Sequence, residues 1–122
     1  SPGQDLRRYY LAALIRAQRT DDAIGLLCTM RRQAPGDVAL QHEFARLLLE
    51  ADPHDPAGLD AARGAVAEEP TREHCATLLD LLLAREDCDG VRSFLESTAV
   101  QALPDSVRTA WRRRAAATCS RL

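Results

Sequence analysis

Lysine and asparagine are absent from this 122-residue chain, and aromatic residues make up only 4% of it. All 16 basic residues are therefore arginine, which reads as codon bias in a GC-rich genome; a preference for bidentate arginine contacts would leave the same trace. Long apolar runs are missing as well. Runs such as Leu81-Leu82-Leu83-Ala84 are far too short to span a bilayer, and no signal peptide is visible. Nor does one sign of charge dominate: 16 basic against 18 acidic residues leave a net charge of −2. Nothing global draws such a chain to nucleic acid or to an anionic membrane, and neither is expected as a partner.

The residues of site chemistry are equally sparse. Cys28, Cys75, Cys88 and Cys119 form no CxxC, and His42, His54 and His74 form no HxxxH. No metal is expected, because ligands must converge at fixed spacing. His74 and Cys75 are adjacent and point about 100° apart on a helix. Cys28, Cys75 or Cys119 would act as a nucleophile only beside a base that the sequence does not place. The six glycines are isolated, so no phosphate-cradling loop exists. Glu68-Glu69 and Asp21-Asp22 are adjacent, share no helix face, and read as solvated or helix-start residues. Catalysis and cofactors are not expected. The cysteines read as small packed thiols in a reducing, cytoplasmic compartment, although an even count permits two disulfides.

What the chain does have is leucine and alanine in quantity, within a hydrophobic fraction of 46%. Both lose little side-chain freedom in helices. Three segments align without gaps: Tyr10-Leu11-Ala12-Ala13-Leu14-Ile15, Phe44-Ala45-Arg46-Leu47-Leu48-Leu49 and Leu78-Leu79-Asp80-Leu81-Leu82-Leu83, each 34 residues after the last. Each opens on a large apolar residue with others four and five places on, the pattern of a buried helix face. A small residue then precedes an aliphatic one at Ala23-Ile24, Gly58-Leu59 and Gly90-Val91, which would let two helices approach closely. Pro35, Pro70 and Pro104 fall where a second helix should stop.

The boundaries predict seven helices: 4–18, 21–33, 38–51, 56–68, 72–85, 90–98 and 105–119. Thr20 or Asp21, Asp37, Asp55 with Pro56 behind it, Thr71, and Asp87 or Asp89 are the expected caps. Short loops force antiparallel neighbours. The expected fold is all-α, with antiparallel hairpins stacked as a short right-handed α-solenoid. Repeats would span about 5–36, 37–70 and 71–104. A C-terminal capping helix and tail would occupy 105–122, with Val107, Ala110 and Trp111 inward and the arginines of Arg112-Arg113-Arg114 wet. The opening 1–4 reads as a linker or tag remnant.

With its period of 34, its small residue in the second helix and its terminal proline, the chain resembles the tetratricopeptide repeat over about 5–104. It departs from that pattern where Arg7, Gln41 and Cys75 replace the usual tryptophan, and in lacking a turn glycine between paired helices. The resemblance implies that an extended peptide or a partner helix lies in a groove lined by the first helix of each repeat. The groove residues it implies are Arg8 and Ile15, then His42, Arg46 and Leu49, then Glu73 and Asp80. Arg8, His42 and Arg46 would make a basic side, and Glu73 and Asp80 an acidic one. Relatives that hold chaperone C-terminal tails use a carboxylate clamp, whose places read Arg8, Ala12, Glu43, Glu73 and Thr77 here. Two glutamates would repel a carboxylate, so such tails are not expected. The expected function is a protein-interaction module. The alternative is self-association as a homodimer through an unsealed end of the stack.

Overall fold

The computed structural model describes residues 2–120, with side chains described from Asp5 onward. Residue 1 of the expected leader, and residues 121 and 122 of the expected tail, lie outside the described residues. Helices make up 79% of the described residues, and no strand occurs among them. The elements are α1 (Pro2–Arg16), α2 (Thr20–Gln33), α3 (Val38–Ala51), α4 (Pro56–Glu68), α5 (Arg72–Ala84), α6 (Cys88–Leu95), α7 (Thr98–Gln101) and α8 (Asp105–Thr118). Helices α1 to α6 pack on their chain neighbours in turn, α3 also lies against α5, and α8 returns to α6. The result is an all-α stack of helical hairpins.

Local chemistry sets most of the boundaries. The carboxylate of Asp37 accepts from the Leu40 N–H at 3.2 Å, and that of Asp55 from the Ala57 N–H at 2.9 Å, with Pro56 first in the helix. Thr71 Oγ1 accepts from the His74 N–H at 3.2 Å, and Asp87, not Asp89, from the Gly90 N–H at 2.9 Å. Each satisfies one of the orphan donors of a first turn. At α2 the expectation fails. Thr20 is already helical, Arg19 holds the cap position, and no side chain caps it.

The reason lies one residue earlier. Gln18 has φ 59°, and Glu86, two periods later, has φ 53°. Both end the first helix of a repeat in the left-handed conformation. The Gln18 N–H bonds to Ile15 O and the Arg19 N–H to Leu14 O, at 3.0 and 2.9 Å; Glu86 and Asp87 do the same to Leu83 and Leu82. This is the paired 6→1 and 5→2 closure that normally recruits glycine, here made by the backbone of non-glycine residues at a cost in backbone strain.

The core runs through the stack from Leu11 and Leu14 to Val107 and Trp111. The small residues serve it unequally. A Cβ on Gly58 would lie 3.0 Å from Leu48 Cβ, so α3 and α4 approach closely there. Gly90 has a different use, because a Cβ there would collide with the Asp87 cap carboxylate rather than with a neighbouring helix. Of the three aligned landmarks, Phe44 and Leu78 are buried but Tyr10 is 55% exposed. The equivalent faces of α3 and α5 are covered by the hairpin before them, whereas none of the described residues lies against this face of α1.

The C-terminal end also departs from expectation. The sixth helix stops at Leu95, and an eighth element, the single turn α7, follows. Ser97 Oγ donates to Phe94 O at 2.6 Å and Gln101 Nε2 to Leu95 O at 2.9 Å. Side chains thus take the carbonyls that a longer α6 would have used. In α8, Ala115 joins Val107 and Trp111 in the core, whereas Ala110 is exposed. Cys88 and Cys119 are joined in a disulfide, with Cα atoms 5.8 Å apart. That corrects the expectation of four unpaired thiols. The packing of α8 onto α6 brings together two cysteines 31 residues apart.

Candidate interaction surfaces

The first helices α1, α3 and α5 carry the expected groove residues. Between α1 and α3 opens a cleft of about 320 Å³, lined by Arg8, Leu11, Ala12, Ile15, Ala39, Leu40 and Glu43. Its floor is aliphatic and its rim carries one charge of each sign. Arg8 and Ile15 therefore line the same cleft.

The charges are not free. Arg8 Nη2 lies 2.6 Å from Asp37 Oδ2, while the other oxygen of that carboxylate caps α3. Arg46 Nη1 lies 3.6 Å from Glu43 one turn earlier on the same helix. Asp80 points away to α8, 2.6 Å from Arg114 Nη2. Glu73 is exposed in the first turn of α5, where a carboxylate suits the helix dipole. Leu49 is half-buried against the core rather than in the cleft.

His42 meets His74 across α3 and α5, with ring centroids 4.7 Å apart and planes tilted by 47°. A carbonyl only accepts, so the 2.7 Å contact of His74 Nδ1 with Glu69 O places the proton on that nitrogen. Burial, then the neighbouring His74 and Arg46, push the His42 imidazole below its ordinary value; Glu43 and Glu73 oppose this less strongly. His42 is thus neutral at physiological pH. The expected basic side of Arg8, His42 and Arg46 reduces to two arginines, each matched by an acid of the chain itself.

Two cavities outside this groove had no sequence signal. One of about 590 Å³ lies among α4, α5, α6 and α7, with Val66, Leu78, Leu82 and Phe94 in its wall. The other, about 700 Å³, lies among α6, α7 and α8, where Arg92, Arg112 and Arg113 surround Leu95 and Ala115 beside Glu96. Arg92 is 3.3 Å from Asp89. Among the described residues, Arg112 and Arg113 form no ion pair with the chain.

The thiols offer little chemistry. Cys75 is fully buried, and burial pushes its thiol up, so it stays protonated and out of reach of solvent. Cys28 is half-buried and unpaired. Among the described residues, no group of three or more metal-binding side chains converges, and no helix is long and apolar enough to cross a membrane.

Comparison with known protein families, with curated proteins and with solved structures returns no significant match to this chain.

Proposed function

We propose that this chain is a protein-interaction module of tetratricopeptide-like repeats, and that it catalyses nothing. The observation that carries the reading is the aliphatic cleft between α1 and α3, on the face lined by first helices. The internal pairing of Arg8 and Arg46 shifts the expected recognition away from free arginines. An apolar anchor of a partner helix or extended segment would enter between Ala12, Ile15 and Ala39. Arg8 and Glu43 would then hydrogen-bond its backbone or flanking polar groups. Chaperone-type carboxylate tails fit poorly, because Arg8 already holds a carboxylate and Thr77, one place of the clamp, is buried.

Selection of peptides from a randomised display library tests this. Enriched sequences should share an aliphatic anchor, bind at micromolar strength and lose binding to Ala12→Arg, a change at an exposed position that leaves the core intact. Enrichment that is indifferent to Ala12→Arg would end the groove reading.

A second reading has its own observation in the cavity among α6, α7 and α8, where three arginines face one glutamate. It would hold an acidic segment of a partner. Arg112→Glu with Arg113→Glu should abolish capture of acidic peptides, while Ala12→Arg leaves it unchanged.

Compartment belongs with these proposals. A disulfide persists where conditions are oxidising. The cytoplasmic setting expected from the sequence therefore requires Cys88 and Cys119 to stand open there. Alkylation of the protein taken directly from its host would count the open thiols.

A further inference from the structure

The bare face of α1 is built like an interface. Leu6, Tyr9 and Tyr10 are 71%, 73% and 55% exposed, and they are the exposed large hydrophobic side chains of the described chain. With Ala13 they follow the i, i+3, i+4, i+7 spacing of a single helix face. One period later the same places are Leu40, Glu43, Phe44 and Leu47. Two periods later they are His74, Thr77, Leu78 and Leu81. Seven of those eight are buried, and Glu43 is half-buried. The face is thus a packing surface of the repeat, left exposed at the first one, where none of the described residues lies against it.

We infer that this face pairs two copies of the chain, α1 against α1, antiparallel about a two-fold axis level with Tyr9 and Tyr10. Charge chooses the occupant and the direction. Asp5 and Arg16 are eleven residues apart, close to three helical turns, so they share one edge of the apolar face. In an antiparallel pair, Asp5 of each copy comes opposite Arg16 of the other, offset by about 3 Å along the axis. In a parallel pair the shared edges of the two copies would lie on opposite sides of the seam, and neither charge would meet its complement. The apolar residues fit the same direction: Tyr9 lies across from Tyr10, and Leu6 from the small Ala13.

The far end of the stack excludes the alternative of head-to-tail growth. There α8 covers the last hairpin and turns Thr109, Arg112, Arg113 and Ala116 outward, which offers no apolar counterpart to two tyrosines. A self-complementary patch that pairs with its own copy closes as a dimer rather than a fibre. Tyrosine is favoured in such seams because it brings large area with few rotatable bonds. Roughly 100 Å² from each of six large side chains leaves the seam below the size of a standard specific interface, so the pairing is weak and transient. The expected dissociation constant is micromolar or weaker.

Sedimentation of the 122-residue chain from about 2 to 500 µM tests the inference. The mass should rise from 13.4 kDa towards twice that value. Tyr10→Glu should weaken the dimer at least about tenfold, the equivalent of about 1.4 kcal/mol, with helicity by circular dichroism retained. Leu6→Ser provides the same reading should Tyr10→Glu fold poorly. Asp5→Arg and Arg16→Asp should each weaken it, and the double exchange should restore it. A monomer at every concentration, or a dimer unmoved by both face variants, overturns the inference. A double exchange no better than the singles overturns the antiparallel register. Display selection on the groove is unaffected by either outcome, so the two readings fail separately.

Discussion

Substituting glycine at one aligned place in all three repeats should have opposite effects on stability. Gln18, Asp52 and Glu86 are 34 residues apart and follow the first helix of each repeat. Gln18 and Glu86 are left-handed at φ 59° and 53°, whereas Asp52 has φ −159° and accepts from the His54 N–H at 3.2 Å. A side chain in the left-handed region costs about 1–2 kcal/mol. Glycine removes that cost but adds unfolded-state freedom of about 0.5–1 kcal/mol. Glu86→Gly should therefore stabilise by about 0.5–1 kcal/mol, and Gln18→Gly by a similar amount. Neither change touches the core, since both side chains are exposed. Asp52→Gly gains nothing from φ, loses a local hydrogen bond, and should destabilise by about 1 kcal/mol. Urea unfolding followed by circular dichroism resolves these values, and for a chain of this length 1 kcal/mol corresponds to about 3–5 °C in Tm. Three changes of the same sign, or a stabilising Asp52→Gly, would refute the argument that backbone conformation at this place sets the outcome.

Three further outcomes follow from the core, the histidine pair and the disulfide. Leu48→Ala and Leu82→Ala should each cost about 2–5 kcal/mol, since both are buried between helices; a loss under about 0.5 kcal/mol at both would contradict the packing register. The His42 imidazole is held below its ordinary 6.5, so the unfolded chain takes up its proton first. Stability should then fall as pH drops through the ordinary histidine range, levelling only where the folded form also protonates. His42→Gln should flatten that fall in thermal unfolding between pH 8 and pH 5, and an equal slope in the variant would assign it to other groups. Opening Cys88–Cys119, which closes a 31-residue separation, should cost about 3–4 kcal/mol on the loop-entropy account; Cys119→Ser measured against the oxidised chain reads it, and a loss near zero would show that α8 is held by packing alone.

The sequence was most legible where structure is made locally. Asp37, Asp55-Pro56 and Thr71 announce helix starts because each cap acts within three residues of itself. Ser97 and Gln101 end α6 early by bonding back to Phe94 and Leu95, which helix periodicity does not record. Tyr10 shows a different limit. Its alignment with Phe44 and Leu78 identifies a packing face, but burial also depends on whether anything lies against that face. Likewise Arg8 and Ile15 were placed in the groove by register, while the pairing of Arg8 with Asp37 needed the distance between α1 and α3. Nothing within either cysteine's neighbourhood marked Cys88 and Cys119 as partners, because the return of α8 onto α6 brings them together.

A stack tied by a covalent bond at one end and bare at the other has a built-in order of unravelling. Nearest-neighbour arrays lose structure from whichever terminus is least supported. Here α1 has cover on one side only, whereas α6 and α8 stay tethered through sulfur even when the contacts around them open. Amide protons should therefore exchange along a gradient, fastest in α1 and slowest in the middle and C-terminal helices. A pulling force applied at the two ends should peel the N-terminal hairpin first and leave a knot of chain from residue 88 to 119 that no extension can lengthen.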